Sequence, residues 1–176
     1  FTGTNGKSSA AYLCHQLLLK LGYETLYIGT LGVQFNNEKF NKTFSTKTTP
    51  DIFELFHILK DTKFEDAGNI SIEMSSHALD QKRLSKIGWL NSTSILNITS
   101  DHLDYHKDIS AYRDAKFEIY KMKSSIKLID EDSSKFQNNY DFVLNDDYKL
   151  TTISNKYNFS DIFFKITELA PQTSFF

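Results

Sequence analysis

Residues 1–9, FTGTNGKSS, constrain this chain more than any other stretch, because a helix-like run, AAYLCHQLLLKL, follows them at once. Gly3 and Gly6 permit a tight turn and let the backbone approach an anion without a Cβ in the way. The amides of such a loop, with those of the first helical turn, point at bound phosphates. Lys7 is placed to reach the terminal phosphates of a nucleotide, and the Ser8 hydroxyl to sit on Mg2+. The longer form of the pattern has a glycine five residues before Gly6. Phe1 stands there, so the match is to the shorter G-T-N-G-K-S form. The plainer alternative is a glycine-serine turn that caps a helix, with Lys7 solvated.

The chain opens inside this motif, without an initiator methionine and without room for the strand that should feed the loop. That leads us to expect a piece of a longer enzyme. Its 176 residues suffice for one domain with a real core. A net charge of −2 offers no basic surplus for nucleic acid. The single cysteine, Cys14, rules out an internal disulfide and is expected in the core. No apolar run reaches the length of a membrane span and no signal peptide is visible, so the expected compartment is the cytoplasm.

Ala11, Cys14, Leu17, Leu18 and Leu21 recur at helical spacing over 8–21, and Gly22 ends the run. ETLYIGTLGV reads as a short buried strand, and FNNEKFNKTF as an exposed hairpin. Pro50 and Asp51 open a helix with Phe53, Phe56, Ile58 and Leu59 apolar. Residues 69–74 and STSILNIT read as strands, each ending in a polar cluster, and a helix is predicted over 109–123. Farther on, IKLIDED and YDFVLNDD look like strands. KLTTISN and YNFSDIFFKIT alternate like a small antiparallel edge sheet near the C-terminus. The whole predicts an α/β fold, a mostly parallel sheet flanked by helices. Ligands then bind beyond the carboxyl ends of the strands. The loops after 69–74 and 93–98 should share one face with the glycine-lysine-serine loop.

On that face Glu73 ends an apolar strand, where a carboxylate can hold Mg2+ or cap the next helix. Ser75, Ser76 and His77 follow, with no G-x-S-x-G elbow to make a nucleophile of either serine. Asp101, His102, Asp104 and His106 form the densest polar cluster. It matches no zinc signature but suits a second Mg2+, or else is a surface loop with capping acids. Lys116 sits in a helix among apolar neighbours. It either snorkels to solvent, the reading that physics alone favours, or is buried and made nucleophilic.

The order of these motifs resembles the central ATPase domain of the Mur ligases, ATP-dependent amide-bond synthetases of peptidoglycan assembly. The resemblance rests on GTNGKS at 3–8, TTP at 48–50, EMSSHALDQKR at 73–83, NITSDHLDYH at 97–106 and Ala115-Lys116, and covers residues 1 to about 123 well. SSHALDQKR and DHLDYH are its most specific parts. They resemble the members that add the third amino acid, usually a diamino acid, to UDP-N-acetylmuramoyl-L-alanyl-D-glutamate. The wider family, folylpolyglutamate synthetase-like ligases included, shares GTNGKS and the later DH and AK.

The resemblance implies ATP and Mg2+ as cofactors, with the UDP-muramoyl-dipeptide and an amino acid as partners of a monomeric enzyme. Gly3, Thr4, Asn5, Gly6, Lys7, Ser8 and Ser9 would hold ATP. Ser8 and Glu73 would hold the first metal, and His102 with Lys116, carbamylated by CO2, the second. Lys7, Glu73, His102 and Lys116 would be the catalytic set. Thr48, Thr49, Ser75, Gln81 and Arg83 would contact the muramoyl substrate. Lys47 stands where some relatives carry asparagine, and Ser100 where many carry arginine. Residues 1–176 would be the central domain alone, without the N-terminal uridine-binding and C-terminal amino-acid-binding domains, and so without turnover by itself. The rival readings are a folylpolyglutamate synthetase-like ligase and a nucleotide-binding module that does not ligate.

Overall fold

Thr25–Gly29 (β1) is buried at every position, as an apolar strand covered on both faces must be. It pairs in parallel with Asn69–Ile72 (β4) and antiparallel with Gly32–Phe35 (β2), which turns at Asn36 into Glu38–Phe40 (β3). A second sheet contains Leu90–Ile95 (β5), Ser124–Asp130 (β6), Leu150–Ser154 (β7) and Ile162–Phe163 (β8), in that order and parallel throughout. Phe1 and Thr2 join the two. Phe1 exchanges backbone bonds with Ile72 and Met74 of the β4 side, and Thr2 with Ser94 and Leu96 of the β5 side. This computed structural model describes residues 1–40, 48–61, 64, 67–87, 89–101, 104–136, 139, 150–154 and 162–163.

Helices cover the sheet: Lys7–Lys20 (α1), Ile52–Leu59 (α2), Ser76–Asp80 (α3), Ile109–Phe117 (α4) and Glu131–Ser134 (α5). A 3-10 turn, Glu118–Lys121, continues α4. Asp51 starts α2 through a capping box with Glu54, and Asp108 starts α4 by accepting from the Ala111 amide. The core joins Leu26, Ile28, Val33, Leu55, Ile95, Phe117 and Ile129. Each such side chain contributes about 1.5–3 kcal/mol on burial. Among the described residues no helix is long and apolar enough to cross a membrane.

The α/β class with a parallel sheet is as expected, and two expectations are corrected, the antiparallel C-terminal edge and the core placement of Cys14. The described strands near the C-terminus, β7 and β8, pair in parallel, and the antiparallel edge is instead the β2–β3 hairpin. Alternation at 149–167 cannot distinguish the two pairings, because side chains alternate in both. In α1 the buried side is Ala11 and His15, while Leu17 and Leu21 are exposed and Cys14 is half-buried. In α2, Leu55 and Ile58 face inward and Phe53 and Phe56 outward. Both helices carry more apolar residues than one face can hold. The predicted strand at 140–147 lies outside the described residues.

His15 is turned inward by polar partners, Thr25 Oγ1 at 3.3 Å and the Asn36 carbonyl at 3.0 Å. Burial lowers its pKa from the ordinary 6.5, against the Asn36 carbonyl, which raises it. Below pH 6.5 the unfolded chain therefore binds a proton that the folded chain refuses, and stability falls as pH drops. We expect urea titrations from pH 7.5 to 5.5 to show this loss, and His15→Gln to flatten the slope. An unchanged slope in the variant would contradict the assignment.

Candidate active site

Gly6 sits at φ 80°, a left-handed conformation that suits glycine, and turns the loop into α1. Lys7 curls back over the loop, its Nζ donating to the Gly3 and Thr4 carbonyls, both at 2.9 Å. Asn97, just past β5, pins the apex: its Oδ1 accepts from the Asn5 amide at 2.8 Å and its Nδ2 donates to the Asn5 carbonyl at 3.0 Å. Thr4 is fixed by the Thr99 backbone and by the Tyr112 hydroxyl.

Glu73 follows β4 and is fully buried. Its carboxylate accepts from Ser8 Oγ at 2.8 Å, from the Thr30 amide and hydroxyl at 3.0 Å, and from the Tyr27 hydroxyl. Hydrogen bonds replace the water that a buried anion loses. Ser75, not Glu73, caps α3, accepting from the Ala78 amide. The carboxylate is thus left to the loop. Thr49, also buried, donates to the Glu73 carbonyl at 3.0 Å and accepts from the Ser75 amide at 3.0 Å. Thr48 meets Thr30 at 3.4 Å between hydroxyl oxygens. Arg83 Nη1 donates to the Thr49 carbonyl at 2.8 Å and its Nε to Gln81 Oε1 at 2.9 Å.

Lys116 does not snorkel. It is 1% exposed, donates to the Gly3 carbonyl at 2.7 Å and lies over the Tyr112 ring. Burial, and then the neighbouring charge of Lys7, push its pKa down to about 7, against an opposing pull from Asp101. Burial also lowers the Lys7 pKa, against Glu73 and Asp101. Two amines thus crowd one loop with little water to share. The correction to the snorkelling expectation comes from Gly3, which is remote from Lys116 in sequence and supplies the acceptor.

The fold therefore gathers Gly3 to Ser9, Thr48, Thr49, Glu73, Ser75, Gln81, Arg83 and Lys116 at the carboxyl ends of β1, β4 and β5 and the helices beside them. His102 and Lys47 lie outside the described residues. Among the described residues no group of three His, Cys, Asp or Glu side chains could hold a metal ion. Ser8 and Glu73 are hard oxygen donors in contact, a pair that fits Mg2+, which takes few protein ligands besides phosphate and water. Sequence reasoning missed Tyr27, Thr30 and Asn97. The available signal was position, since Thr30 immediately follows β1 and Asn97 lies two residues past the end of β5.

An α/β domain with a parallel sheet and a polar site at its carboxyl end is the class that these observations define. The family model for the Mur ligase middle domain matches residues 1–175, and the chain belongs to that family. The UDP-N-acetylmuramoyl-L-alanyl-D-glutamate–2,6-diaminopimelate ligase of Wolinella succinogenes is 38% identical over 134 residues, 76% of this chain and 30% of that protein. The corresponding L-lysine ligase of Staphylococcus haemolyticus is 36% identical over 143 residues, 77% of this chain and 28% of that one. A solved structure of a 2,6-diaminopimelate ligase superposes with a TM-score of 0.75 at 26% identity, covering 92% of this chain and 32% of that chain. The chain thus spans about a third of the length of these relatives.

Gly29 sets a limit on the site, because an added Cβ would overlap the Glu73 carboxylate and the Tyr27 hydroxyl. Gly29→Ala must displace a buried anion or the strand itself. We expect a loss of about 1–3 kcal/mol in chemical denaturation, the usual range for overpacking. A variant as stable as the parent would show that Glu73 is not held as described.

Proposed function

We propose that this chain is the central, ATP-binding domain of a cytoplasmic, monomeric ligase of peptidoglycan precursor synthesis. Its reaction adds a diamino acid to UDP-N-acetylmuramoyl-L-alanyl-D-glutamate. The observation that carries the reading is the meeting of Lys7, Ser8, Glu73 and Lys116 around one glycine loop. Relatives named for both diaminopimelate and lysine resemble this chain, and the family's N- and C-terminal domains would supply uridine and amino-acid recognition.

ATP is a substrate here, its phosphates lying on the amides of Gly3 to Ser9. An oxygen of the D-glutamate carboxylate attacks the γ-phosphorus, ADP leaves, and an acyl phosphate results. The amine of the incoming amino acid then adds to the acyl carbon. The tetrahedral adduct expels phosphate, and the nitrogen loses its proton. Lys7 offsets charge on the transferring group. Thr48, Thr49, Ser75, Gln81 and Arg83 orient the acceptor, Arg83 by matching a carboxylate or phosphate with its fork. Ser8 and Glu73 would hold one Mg2+, and His102 with carbamylated Lys116 a second; the ions supply further charge neutralisation. A Lys116 amine pushed down to about 7 has a substantial neutral fraction near pH 7, unlike an ordinary lysine. Its lone pair can form an N–C bond to CO2 as one C=O π pair moves onto oxygen, and loss of one proton from the nitrogen then leaves an anionic carbamate.

The test is ADP release by the full-length parent enzyme, given the muramoyl dipeptide and a panel of amino acids, beside a folate-plus-glutamate set. We expect release only with the muramoyl substrate and one diamino acid. Lys116→Ala should lower the rate by at least about 100-fold, the scale for one charge-stabilising group. Release with folate, or slow release indifferent to any acceptor, would overturn the reading in favour of the sister ligase or a nucleotide switch.

A further inference from the structure

Four polar side chains form a directional relay that ends on the Thr49 carbonyl. The Tyr105 hydroxyl donates to Asp80 Oδ2 at 2.9 Å. Its oxygen accepts from Gln81 Nε2 at 3.3 Å. Gln81 Oε1 in turn accepts from Arg83 Nε at 2.9 Å, and Arg83 Nη1 donates to the Thr49 carbonyl at 2.8 Å. The direction is forced from one end. An ionised carboxylate only accepts, so the phenol must donate its O–H to Asp80, and its oxygen is left as an acceptor toward Gln81. The Gln81 amide must then offer its nitrogen to Tyr105 and its oxygen to Arg83. A flipped amide would set its NH2 against the Arg83 Nε–H, donor against donor.

Two backbone features add to this. A full pair of bonds, Lys82 amide to Leu79 carbonyl and Arg83 amide to Ala78 carbonyl, closes α3 with Lys82 at φ 53° and fixes where Arg83 leaves the helix. The Tyr105 ring lies 3.8 Å from the His77 ring, centroid to centroid, and so is held over the same helix.

We propose that Tyr105 is a positioning residue for the acceptor: with Asp80 it fixes the Gln81 amide, and through it aims the Arg83 guanidinium at the anionic substrate. The inference rests on Arg83 being an acceptor-binding residue, as proposed above. Tyr105 itself need not touch the substrate. Two of the Arg83 donors are committed to Gln81 and Thr49, and the remaining N–H groups are those an acceptor carboxylate or phosphate would take.

The experiment uses the full-length enzyme and Tyr105→Phe, which keeps the ring on His77 and removes the hydroxyl. We expect KM for the UDP-muramoyl dipeptide to rise about 5- to 20-fold, with KM for ATP and kcat unchanged within twofold and with no shift in Tm. Asp80→Ala should do the same, and the double variant no more than either single one, as members of one relay must. Parent enzyme that ligates the muramoyl substrate, with a Tyr105→Phe variant of unchanged acceptor KM, would overturn the inference alone. Equal damage to acceptor KM, ATP KM and Tm would also overturn it, by showing a general packing role. A parent that ligates no muramoyl substrate would fail the functional reading on which this one rests, and both would fall.

Discussion

The Glu73 carboxylate is the group on which the rest of the site depends. A buried anion must be solvated by the protein, and here hydroxyls and an amide from three separate segments do it. Ser8 comes from the first turn of α1, Tyr27 from β1, and Thr30 from the turn that follows it. Satisfying one carboxylate therefore sets the spacing between the loop and two strand ends. It also explains why Gly29 lies directly beneath, where any side chain would compete for the same space. The Glu73 carbonyl, through Thr49, extends the same restraint toward the segment proposed to meet the acceptor.

The second restraint is the crowding of two amines. Lys7 and Lys116 both donate to the Gly3 carbonyl, one from the next helix turn and the other from α4. That carbonyl is the loop's contribution to holding positive charge in a place with little water. Burial and mutual repulsion act together on Lys116, which is why its basicity falls so far. An ordinary lysine is inert toward CO2 because it is almost wholly protonated, and this one is not.

How much of this was legible beforehand follows from the range of the forces involved. A buried strand such as β1 shows as a largely apolar run, and Asp51 and Asp108 announce their helices through local caps. Glu73, Ser75 and the loop were placed on one face by the rule that parallel strands present their carboxyl ends together. What failed was decided by distant partners. His15 displaces leucines from the buried side of α1 because Thr25 and Asn36 wait for it. The burial of Lys116 is set by a carbonyl 113 residues away. The direction of β8 is set by β7 and not by its own two residues.

The two-residue bridge of Phe1 and Thr2 has a thermodynamic consequence. These residues reach partners 71 and more positions away and complete a sheet whose halves each have their own hydrogen bonds. The glycine loop begins at the next residue, so its shape exists only when the halves are joined. Any ligand that selects the loop in this shape therefore also selects the joined sheet, and stabilises the junction by RT ln(1 + [L]/Kd). Occupancy of the loop and cohesion of the domain are one linked equilibrium.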